Sequence, residues 1–360
     1  MIKVCFFSGD ITRSGGTERV AVMIANALAA DSSVKVCFLS LVEQKEAPFF
    51  ELAPVIEHYA LGNKWLSPGP AYLPLIPKVR RFLKEHEIQV IIDIDIVLDV
   101  LSVPAAKGLK TRVISWEHSN CEYELSIFYR RMIIKHFTSR SDWIVTLTPG
   151  DAESFRKLMK RQDRIDAVYN PVNEPSIEPR EREKRVITVA RLVPGKGFDL
   201  LAEVAKKVLP AHPEWKWYIC GDGPEREFME NFCRENHFED RIILTGLVPA
   251  VDEYLAKSRL FVLTSSAVGL PMCLLEARTY GVPCVSFDIP TGLADIIQDG
   301  KNGYLIPPFD CDAMAEKMNQ LLSDEKLLDE MSREAGQGLE MFYMPRIIGQ
   351  WKEILEKLSR

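Results

Sequence analysis

Two cationic side chains lie five residues apart in a glycine-rich loop. Arg191 and Lys196 belong to the segment Arg-Leu-Val-Pro-Gly-Lys-Gly, which follows an apolar, β-branched run ending at Ala190. A guanidinium and an ammonium in such a loop can bind one diphosphate together, and each charge-assisted hydrogen bond contributes about 1.5–3 kcal/mol. Two ordinary cations on a solvated loop would have the same pattern, so this segment alone indicates an anion site without establishing one.

A second loop, residues 9–18, places Gly15 and Gly16 directly before a helical pattern. Adjacent glycines let backbone N–H groups approach an anion, and a helix N-terminus adds partial positive charge. The alternative is a tight turn in which Thr17 is the N-cap of the helix. The loop does not match G-x-G-x-x-G, so the sequence does not support a nicotinamide-dependent oxidoreductase.

Polar side chains also follow two other predicted strands. His118 comes just after the run that ends at Trp116, where it can serve as a hydrogen-bond donor or a general acid/base. Glu276 lies in an otherwise apolar helical pattern behind the loop of Gly269, Leu270 and Pro271. A carboxylate in such a helix needs partners. It can accept two hydroxyls of a sugar ring, or it can pair with Arg278 or a backbone amide.

These loops connect strand and helix patterns that alternate along the chain. Predicted strands such as Ile2–Phe7, Val34–Leu41 and Val90–Ile96 alternate with helical patterns such as Thr17–Ala30 and Phe128–Arg140, and the alternation starts again at residue 185. It is typical of parallel βαβ units whose strands are buried on both faces. We therefore predict an α/β protein with two doubly wound, Rossmann-like domains facing each other across a cleft. The ligand is expected beyond the carboxyl ends of the strands.

The predicted domain boundary is a segment rich in proline and charge. Residues 171–184 contain three prolines and seven charged residues without periodicity, which is typical of a linker. Residues 1–170 then form the N-terminal domain and residues 185–344 the C-terminal domain. Residues 345–360 form a last helix, which we expect to pack back on the N-terminal domain.

Composition excludes several classes of protein. The 360 residues are 47% hydrophobic and 27% charged, the usual globular mix, and the net charge of −6 argues against a nucleic-acid partner. No apolar run reaches the roughly 20 residues that span a bilayer, and we expect no secretory signal. The eight cysteines form no C-x-x-C pair, which indicates reduced core residues rather than metal ligands. We therefore expect a cytoplasmic protein, possessing no bound metal, that can associate peripherally with the cytoplasmic membrane.

Five motifs together resemble one known family. In order they are Ser-Gly-Gly-Thr-Glu-Arg, Val-Ala-Arg-Leu-Val-Pro-Gly-Lys-Gly-Phe, Gly-Asp-Gly-Pro, Thr-Gly-Leu-Val and Gly-Leu-Pro-Met-x-Leu-Leu-Glu-Ala. The chain is similar over essentially its whole length to the family 4 retaining glycosyltransferases of the GT-B fold. The resemblance implies an acceptor-binding N-terminal domain and a C-terminal domain that binds a nucleotide-diphosphate sugar, with UDP as the expected nucleotide. It also implies front-face substitution without a metal or other cofactor.

The resemblance assigns roles residue by residue. Arg191 and Lys196 match the pair that grips the diphosphate, and Glu276 matches the residue that binds the ribose hydroxyls. His118 matches a histidine that contacts the donor sugar. The remaining matches are Gly15 and Gly16 in the N-terminal glycine loop, Leu247 and Val248 beside the base, and Gly269, Leu270 and Pro271 beside the diphosphate and sugar.

One position departs from the family pattern. The first Glu of the E-x7-E element, which touches hydroxyls of the donor sugar, is replaced by Val268. Three interpretations are open. The sugar is held differently, for example through Ser265 or Ser266; the chain is a substituted, inactive variant; or it is a non-catalytic subunit. An inverting GT-B transferase is a further alternative.

The acceptor is expected to be a lipid-linked saccharide or another glycan, as in bacterial polysaccharide or lipopolysaccharide assembly. Residues 1–170 carry 22 Lys and Arg against 20 Asp and Glu, a net of +2, whereas residues 171–360 carry 23 against 31, a net of −8. This asymmetry predicts an anionic partner for the first domain. Two helical patterns with basic residues can lie on an anionic leaflet, or they can pack on the sheet with solvated basic faces. Their cations are Arg80, Arg81, Lys84, Arg130, Arg131 and Lys135.

Overall fold

The computed structural model of the chain describes residues 1–64, 70–177, 181–266, 268–290 and 292–359. It contains two compact units, one formed by Met1–Pro171 with Met341–Arg360 and the other by Val172–Glu340. Each unit is built on one open sheet in which every described strand pair is parallel. The predicted α/β fold with two doubly wound, Rossmann-like domains is therefore confirmed.

The sheet of the first unit has seven strands in the order β3-β2-β1-β4-β5-β6-β7. The order reverses direction between β1 and β4, so the loops that follow these strands diverge at the carboxyl edge of the sheet, where α/β proteins bind ligands. The elements in chain order are β1 (Ile2–Ser8), α1 (Gly16–Ala29), β2 (Val34–Val42), β3 (Glu57–Gly62), α2 (Ile76–Glu85), β4 (Val90–Asp93), α3 (Asp99–Ala106), β5 (Arg112–Trp116), α4 (Cys121–Ser126), α5 (Phe128–His136), β6 (Trp143–Thr146), α6 (Pro149–Met159) and β7 (Ile165–Ala167).

The sheet of the second unit has six strands in the order β10-β9-β8-β11-β12-β13. Its reversal lies between β8 and β11, which are neighbours in space but 70 residues apart in sequence. The elements are β8 (Arg185–Val189), α7 (Phe198–Val208), β9 (Lys216–Cys220), α8 (Arg226–Asn236), β10 (Ile242–Gly246), α9 (Val251–Leu255), β11 (Leu260–Leu263), α10 (Met272–Thr279), β12 (Cys284–Phe287), α11 (Leu293–Ile296), β13 (Gly303–Ile306), α12 (Cys311–Ser323) and α13 (Glu325–Ala335).

The last helix, α14 (Met344–Ser359), belongs to the first unit. Its Trp351 is fully buried and meets the ring of Trp116 edge-on, with centroids 4.9 Å apart. Lys352 forms an ion pair with Asp31 after α1. The core of the first unit is therefore completed by residues that lie beyond the second unit in sequence.

Two elements are shorter than the sequence predicts. The strand expected over residues 90–96 ends at Asp93, because Asp95 accepts the backbone N–H of Val97 at 2.9 Å and caps a short 3-10 turn. The helix expected over residues 128–140 ends at His136, and a separate 3-10 turn covers Thr138–Arg140.

Two buried carboxyl groups face each other beneath the end of β4. Asp93 and Asp99 are fully buried, and Asp99 accepts hydrogen bonds from Ser115 at 2.8 Å and from Thr138. Burial raises the pKa of Asp99 to about 6, and burial together with the charge of Asp99 raises the pKa of Asp93 well above its ordinary value. The pair therefore retains protons at a pH where both carboxyls would be ionised in the unfolded chain.

This pair predicts a pH dependence of stability. The contribution of the raised pKa of Asp99 to the free energy of unfolding is complete below about pH 4 and is lost as the pH rises through about 6. We expect Asp99→Asn to flatten the fall in the free energy of unfolding between about pH 4 and pH 7, measured by urea titration. Asp240→Asn, on the surface of the second unit, is the control and should keep the wild-type slope. Equal slopes in all three proteins would contradict the assignment.

Candidate functional site

The loop that carries Arg191 and Lys196 lies at the carboxyl edge of the second sheet, between β8 and α7. It is closely apposed to the end of β11. Gly197 has a φ of +70°, and a Cβ there would lie 2.0 Å from the carbonyl oxygen of Thr264. Ser266 donates from its backbone N–H and from its hydroxyl to the carbonyl of Gly195, each at 3.1 Å. The segments that follow β8 and β11 are thus held against each other.

A neighbouring turn, Gly221-Asp-Gly-Pro, supports this loop from the side of β9. A Cβ on Gly221 would lie 1.9 Å from the carbonyl oxygen of Ala190, so the close approach requires glycine. The backbone N–H of Leu192 donates to the carbonyl of Asp222 at 2.9 Å, and that of Glu225 donates to the carbonyl of Leu192 at 2.9 Å. Leu192 itself is fully buried. The turn therefore fixes the backbone from which Arg191 projects.

The two cations form no ion pair with a carboxylate among the described residues. Arg191 is exposed and Lys196 is half-buried. Burial lowers the pKa of Lys196, the neighbouring Cys273 opposes this, and repulsion from Arg191 lowers it further. In the parts of the chain that the structure describes, no carboxylate forms an ion pair with either residue. Two adjacent positive charges in a partly desolvated loop form a strong binding position for an anion.

Helix α10 begins beside these cations. Its N-cap is Pro271 and its first helical residue is Met272. Burial raises the pKa of Cys273 to about 12, with Glu276 raising it and Lys196 opposing. The charges of Lys196 and Glu276 therefore both act on the Cys273 thiol. Sequence reasoning missed Cys273, because nothing in an apolar helix pattern marks it.

The remaining residues assigned to the donor site lie on the same edge of the sheet. Val268 and Gly269 are half-buried and Leu270 is buried, all in the loop leading into α10. Leu247, in the loop after β10, is 79% exposed, and the adjacent Val248 is half-buried. Because β10 is separated from β8 by β9, Leu247 lies two strands from the cation loop.

In the first unit, Gly15 rather than Thr17 is the N-cap of α1, so the alternative of a Thr17 cap is wrong. The carboxylate of Glu18 approaches this cap so closely that a Cβ on Gly15 would lie 1.9 Å from it. No atom lies within 4 Å of the equivalent point on Gly16. Burial raises the pKa of Glu18. The Glu18 side chain therefore occupies part of the space in which an anion would bind at the N-terminus of α1.

His118 follows β5 on the same edge of the first sheet. Burial lowers the pKa of its imidazole to about 3, so the ring is neutral near pH 7. It packs against Trp116 with centroids 4.2 Å apart, and no hydrogen-bond partner for its buried Nε2 occurs in the described part of the chain. A neutral ring with one unused nitrogen can exchange a hydrogen bond with a ligand hydroxyl.

Two of the six cations assigned to a membrane surface have structural roles, which corrects that expectation. Arg80 donates to the carbonyls of Ala105 and Lys107, both at 2.7 Å. Arg130 is 17% exposed and donates to Glu124 at 2.6 Å and to Asp95 at 3.2 Å. Helical spacing cannot reveal these partners, because they come from other segments. The other four cations are exposed: Arg81, Lys84, Arg131 and Lys135.

Sequence reasoning also missed the carboxylates near His118. Asp95 and Glu124 hold Arg130, and burial raises the pKa of both Glu117 and Glu124. A signal was present for Asp95, which comes two residues after a strand. The described residues contain no group of His, Cys, Asp and Glu that could hold a metal ion and no helix able to cross a membrane.

Two Rossmann-like parallel sheets in one chain, with a cationic loop at the carboxyl edge of the second, are the architecture of the GT-B fold. Residues 171–337 match the family model described as glycosyl transferases group 1, and residues 14–174 match the model described as glycosyltransferase family 4. The two models together span residues 14–337, and the resemblance of the sequence to glycosyltransferases of the GT-B fold is confirmed.

Individual proteins agree with this classification. An uncharacterized glycosyltransferase of Haemophilus influenzae is 28% identical over 360 residues, covering 99% of this chain and 100% of that protein. The lipopolysaccharide 1,6-galactosyltransferase of Escherichia coli is 26% identical over 298 residues, 79% of each chain. The crystal structure of Anabaena Alr3699/HepE with UDP and glucose matches 98% of this chain and 99% of that one, with a TM-score of 0.78 at 17% identity, which shows the shared fold.

Proposed function

We propose that this chain transfers a hexose or N-acetylhexosamine from a UDP-sugar to a lipid-linked saccharide or another glycan, with retention of anomeric configuration. The observation that carries the proposal is the pair Arg191 and Lys196, which has no carboxylate partner among the described residues and stands beside the start of α10. The complex of HepE with UDP and glucose supports the choice of donor, and the Escherichia coli relative supports a role in lipopolysaccharide or polysaccharide assembly.

In the proposed reaction, the bond from the anomeric carbon to the diphosphate oxygen breaks as a bond to the acceptor oxygen forms on the same face. The leaving diphosphate takes the acceptor proton. Arg191 and Lys196 neutralise the charge that develops on the diphosphate, so no metal or other cofactor is needed. Glu276 binds the ribose hydroxyls, the loop of Gly269, Leu270 and Pro271 approaches the diphosphate, and Leu247 and Val248 flank the base. His118, Gly15 and Gly16 keep the donor-side roles that the family resemblance implies.

One observation favours a second candidate, a non-catalytic glycosyltransferase-like subunit. The side chain of Val268 cannot accept a hydrogen bond from a sugar hydroxyl, and the residue stands at the entry to the loop before α10. Ser265 is buried and Ser266 donates to Gly195, so the two hydroxyls considered as substitutes differ in availability. Such a subunit would bind UDP through the same cations without transferring a sugar.

Product analysis tests the proposal directly. With a panel of UDP-sugars, we expect sugar transfer or slow donor hydrolysis that is unchanged by EDTA, because side chains supply the positive charge. NMR of the anomeric proton should show the donor configuration in the product. An inverted product would favour the inverting alternative, and a strict requirement for Mg²⁺ or Mn²⁺ would contradict the role of Arg191 and Lys196.

We also propose that the first unit docks on an anionic membrane surface. Helix α5 exposes Arg131 and Lys135 together with Phe128, which is 69% exposed, and Met132. The guanidinium of Arg131 lies over the ring of Phe128, 5.6 Å from its centroid. Exposed aromatic and cationic side chains on one helix suit the headgroup region of a bilayer. Arg81 and Lys84 on α2 are also exposed.

Vesicle sedimentation tests this docking. We expect vesicles with anionic lipid to retain the protein at low salt and to release it at about 0.5 M salt, where charge interactions are short-ranged. The double variant Arg131→Glu/Lys135→Glu should abolish retention. The control Lys157→Glu/Lys160→Glu makes the same charge change at two exposed lysines of α6 and its C-cap, and it should be retained. A wild-type protein that ignores anionic vesicles would rule out docking.

A further inference from the structure

A pocket of about 450 Å³ lies at the amino edge of the first sheet, where α3 and α5 end and β5 begins. We call it the amino-edge pocket. The strands there run toward the opposite edge, which carries His118 and the loop of Gly15 and Gly16. The volume is within the range of pockets that hold small organic ligands, roughly 300–1,000 Å³.

The floor of the amino-edge pocket is apolar. Val103, Leu109 and Phe137 line it and pack against the buried core of the unit. They leave part of this apolar surface in contact with water, which is unfavourable. A ligand with an apolar part would release that water.

The rim is cationic. Lys107, Arg112, His136 and Arg140 all line the pocket and all are exposed. Only Arg112 has a charged partner among the residues the structure describes, since it meets Asp142 at 3.1 Å. The carboxylate of Asp142 also accepts a hydrogen bond from the backbone N–H of Val113 at 2.9 Å. The pocket lining therefore contains three permanent cations, Lys107, Arg112 and Arg140, and one carboxylate, so its net charge is positive.

Helix C-termini repel anions, and two helices end here. For α3 this repulsion is reduced by Arg80, which binds the last carbonyls of Ala105 and Lys107 at 2.7 Å each. Arg80 therefore offsets the negative partial charge at the C-terminus of α3, so a negatively charged ligand can bind near this helix end. This accounts for an arginine that the sequence had placed on a membrane surface.

We propose that the amino-edge pocket binds an amphipathic phosphate ester, with the phosphate held by Arg140, Lys107 and Arg112 and the alkyl or prenyl chain lying on Val103, Leu109 and Phe137. Arginine suits this ligand because its planar guanidinium donates two parallel hydrogen bonds to phosphate. The inference goes beyond the proposed transferase reaction, which uses neither this edge of the sheet nor these residues.

Calorimetric titration with octyl phosphate, inorganic phosphate and octanol tests the proposal without any nucleotide sugar. Octyl phosphate should bind at least tenfold more tightly than either fragment. Arg140→Ala and Lys107→Ala should each weaken its binding by about fivefold, a modest loss because both cations are exposed. Lys45→Ala, in the loop after β2, removes the same charge elsewhere on the unit and should change nothing.

Two results would overturn the proposal. One is equal binding of octyl phosphate by wild type, Arg140→Ala and Lys107→Ala. The other is loss of binding in Lys196→Ala alone, which would place the probe at the candidate donor site. Phosphatidylcholine vesicles with and without phosphatidic acid then identify the source of the ester. Retention that depends on Arg140 indicates a membrane lipid, and octyl phosphate binding without such retention indicates a soluble ester.

Discussion

Replacing Lys196 with alanine is expected to weaken UDP binding by about 10- to 150-fold, because it removes a charge-assisted contact worth about 1.5–3 kcal/mol. The effect should be large for a surface loop, since the ammonium is half-buried and meets no carboxylate in the described chain. Isothermal titration with UDP measures it. Lys326→Ala, an exposed lysine of the same unit, is the matched control and should bind UDP like wild type.

Glu276→Ala gives an independent check of the same site. It should weaken UDP binding by a similar factor, but 2′,3′-dideoxyuridine diphosphate should bind the variant and the wild type equally, because it lacks the hydroxyls that Glu276 is proposed to accept. If UDP affinity is unchanged in both Lys196→Ala and Glu276→Ala, the site assigned to the second unit is wrong.

The variant Val268→Glu is expected to raise sugar transfer or donor hydrolysis by at least tenfold. The new carboxylate would stand at the entry to the loop of Gly269, Leu270 and Pro271, where it can accept a hydrogen bond from a donor-sugar hydroxyl worth about 1.5–3 kcal/mol. UDP affinity should change little, since the proposed nucleotide contacts are made by Arg191, Lys196 and Glu276. Initial rates with radiolabelled UDP-sugar, and UDP titration of the same preparation, separate the two effects.

Val268→Gln is the control for this experiment, because it has nearly the size of the glutamate variant but no charge. It should give a smaller gain. A folded Val268→Glu protein that binds UDP and is no more active than wild type would show that valine belongs to a different sugar-binding arrangement or to a non-catalytic subunit. An equal gain in both variants would point to side-chain size or to a neutral hydrogen bond rather than to charge.

The architecture could be predicted from the sequence because parallel βαβ units leave a strong pattern. Residues Val4–Phe7 of β1 and the whole of β11 are continuous apolar runs, as burial on both faces requires. The strands that no pattern indicated lie at sheet margins or are very short. In β3 no residue is fully buried, and β7 has three residues. Their pairing is set by the neighbouring strand rather than by their own composition.

The candidate site was predictable only where its residues are close in sequence. Arg191 and Lys196 share one loop, so their types and spacing could be recognised directly. Arg130 shows the opposite case. Its basic helix suggests a solvated face, but Glu124 and Asp95 pair with it, and Asp95 lies 35 residues earlier in the chain. Charge pairing across such distances is decided by topology, which composition and periodicity do not contain.

The position of α14 sets the order in which the chain can fold as it is synthesised. Trp351 is fully buried against Trp116, yet the ribosome makes the whole of the second unit between them. The second unit is contiguous in sequence and can form its sheet as soon as it emerges. The first unit emerges earlier but must wait with an apolar face uncovered until residues 344–359 arrive. A nascent chain halted before that point would therefore be an aggregation-prone species, although most of its strands had already been made.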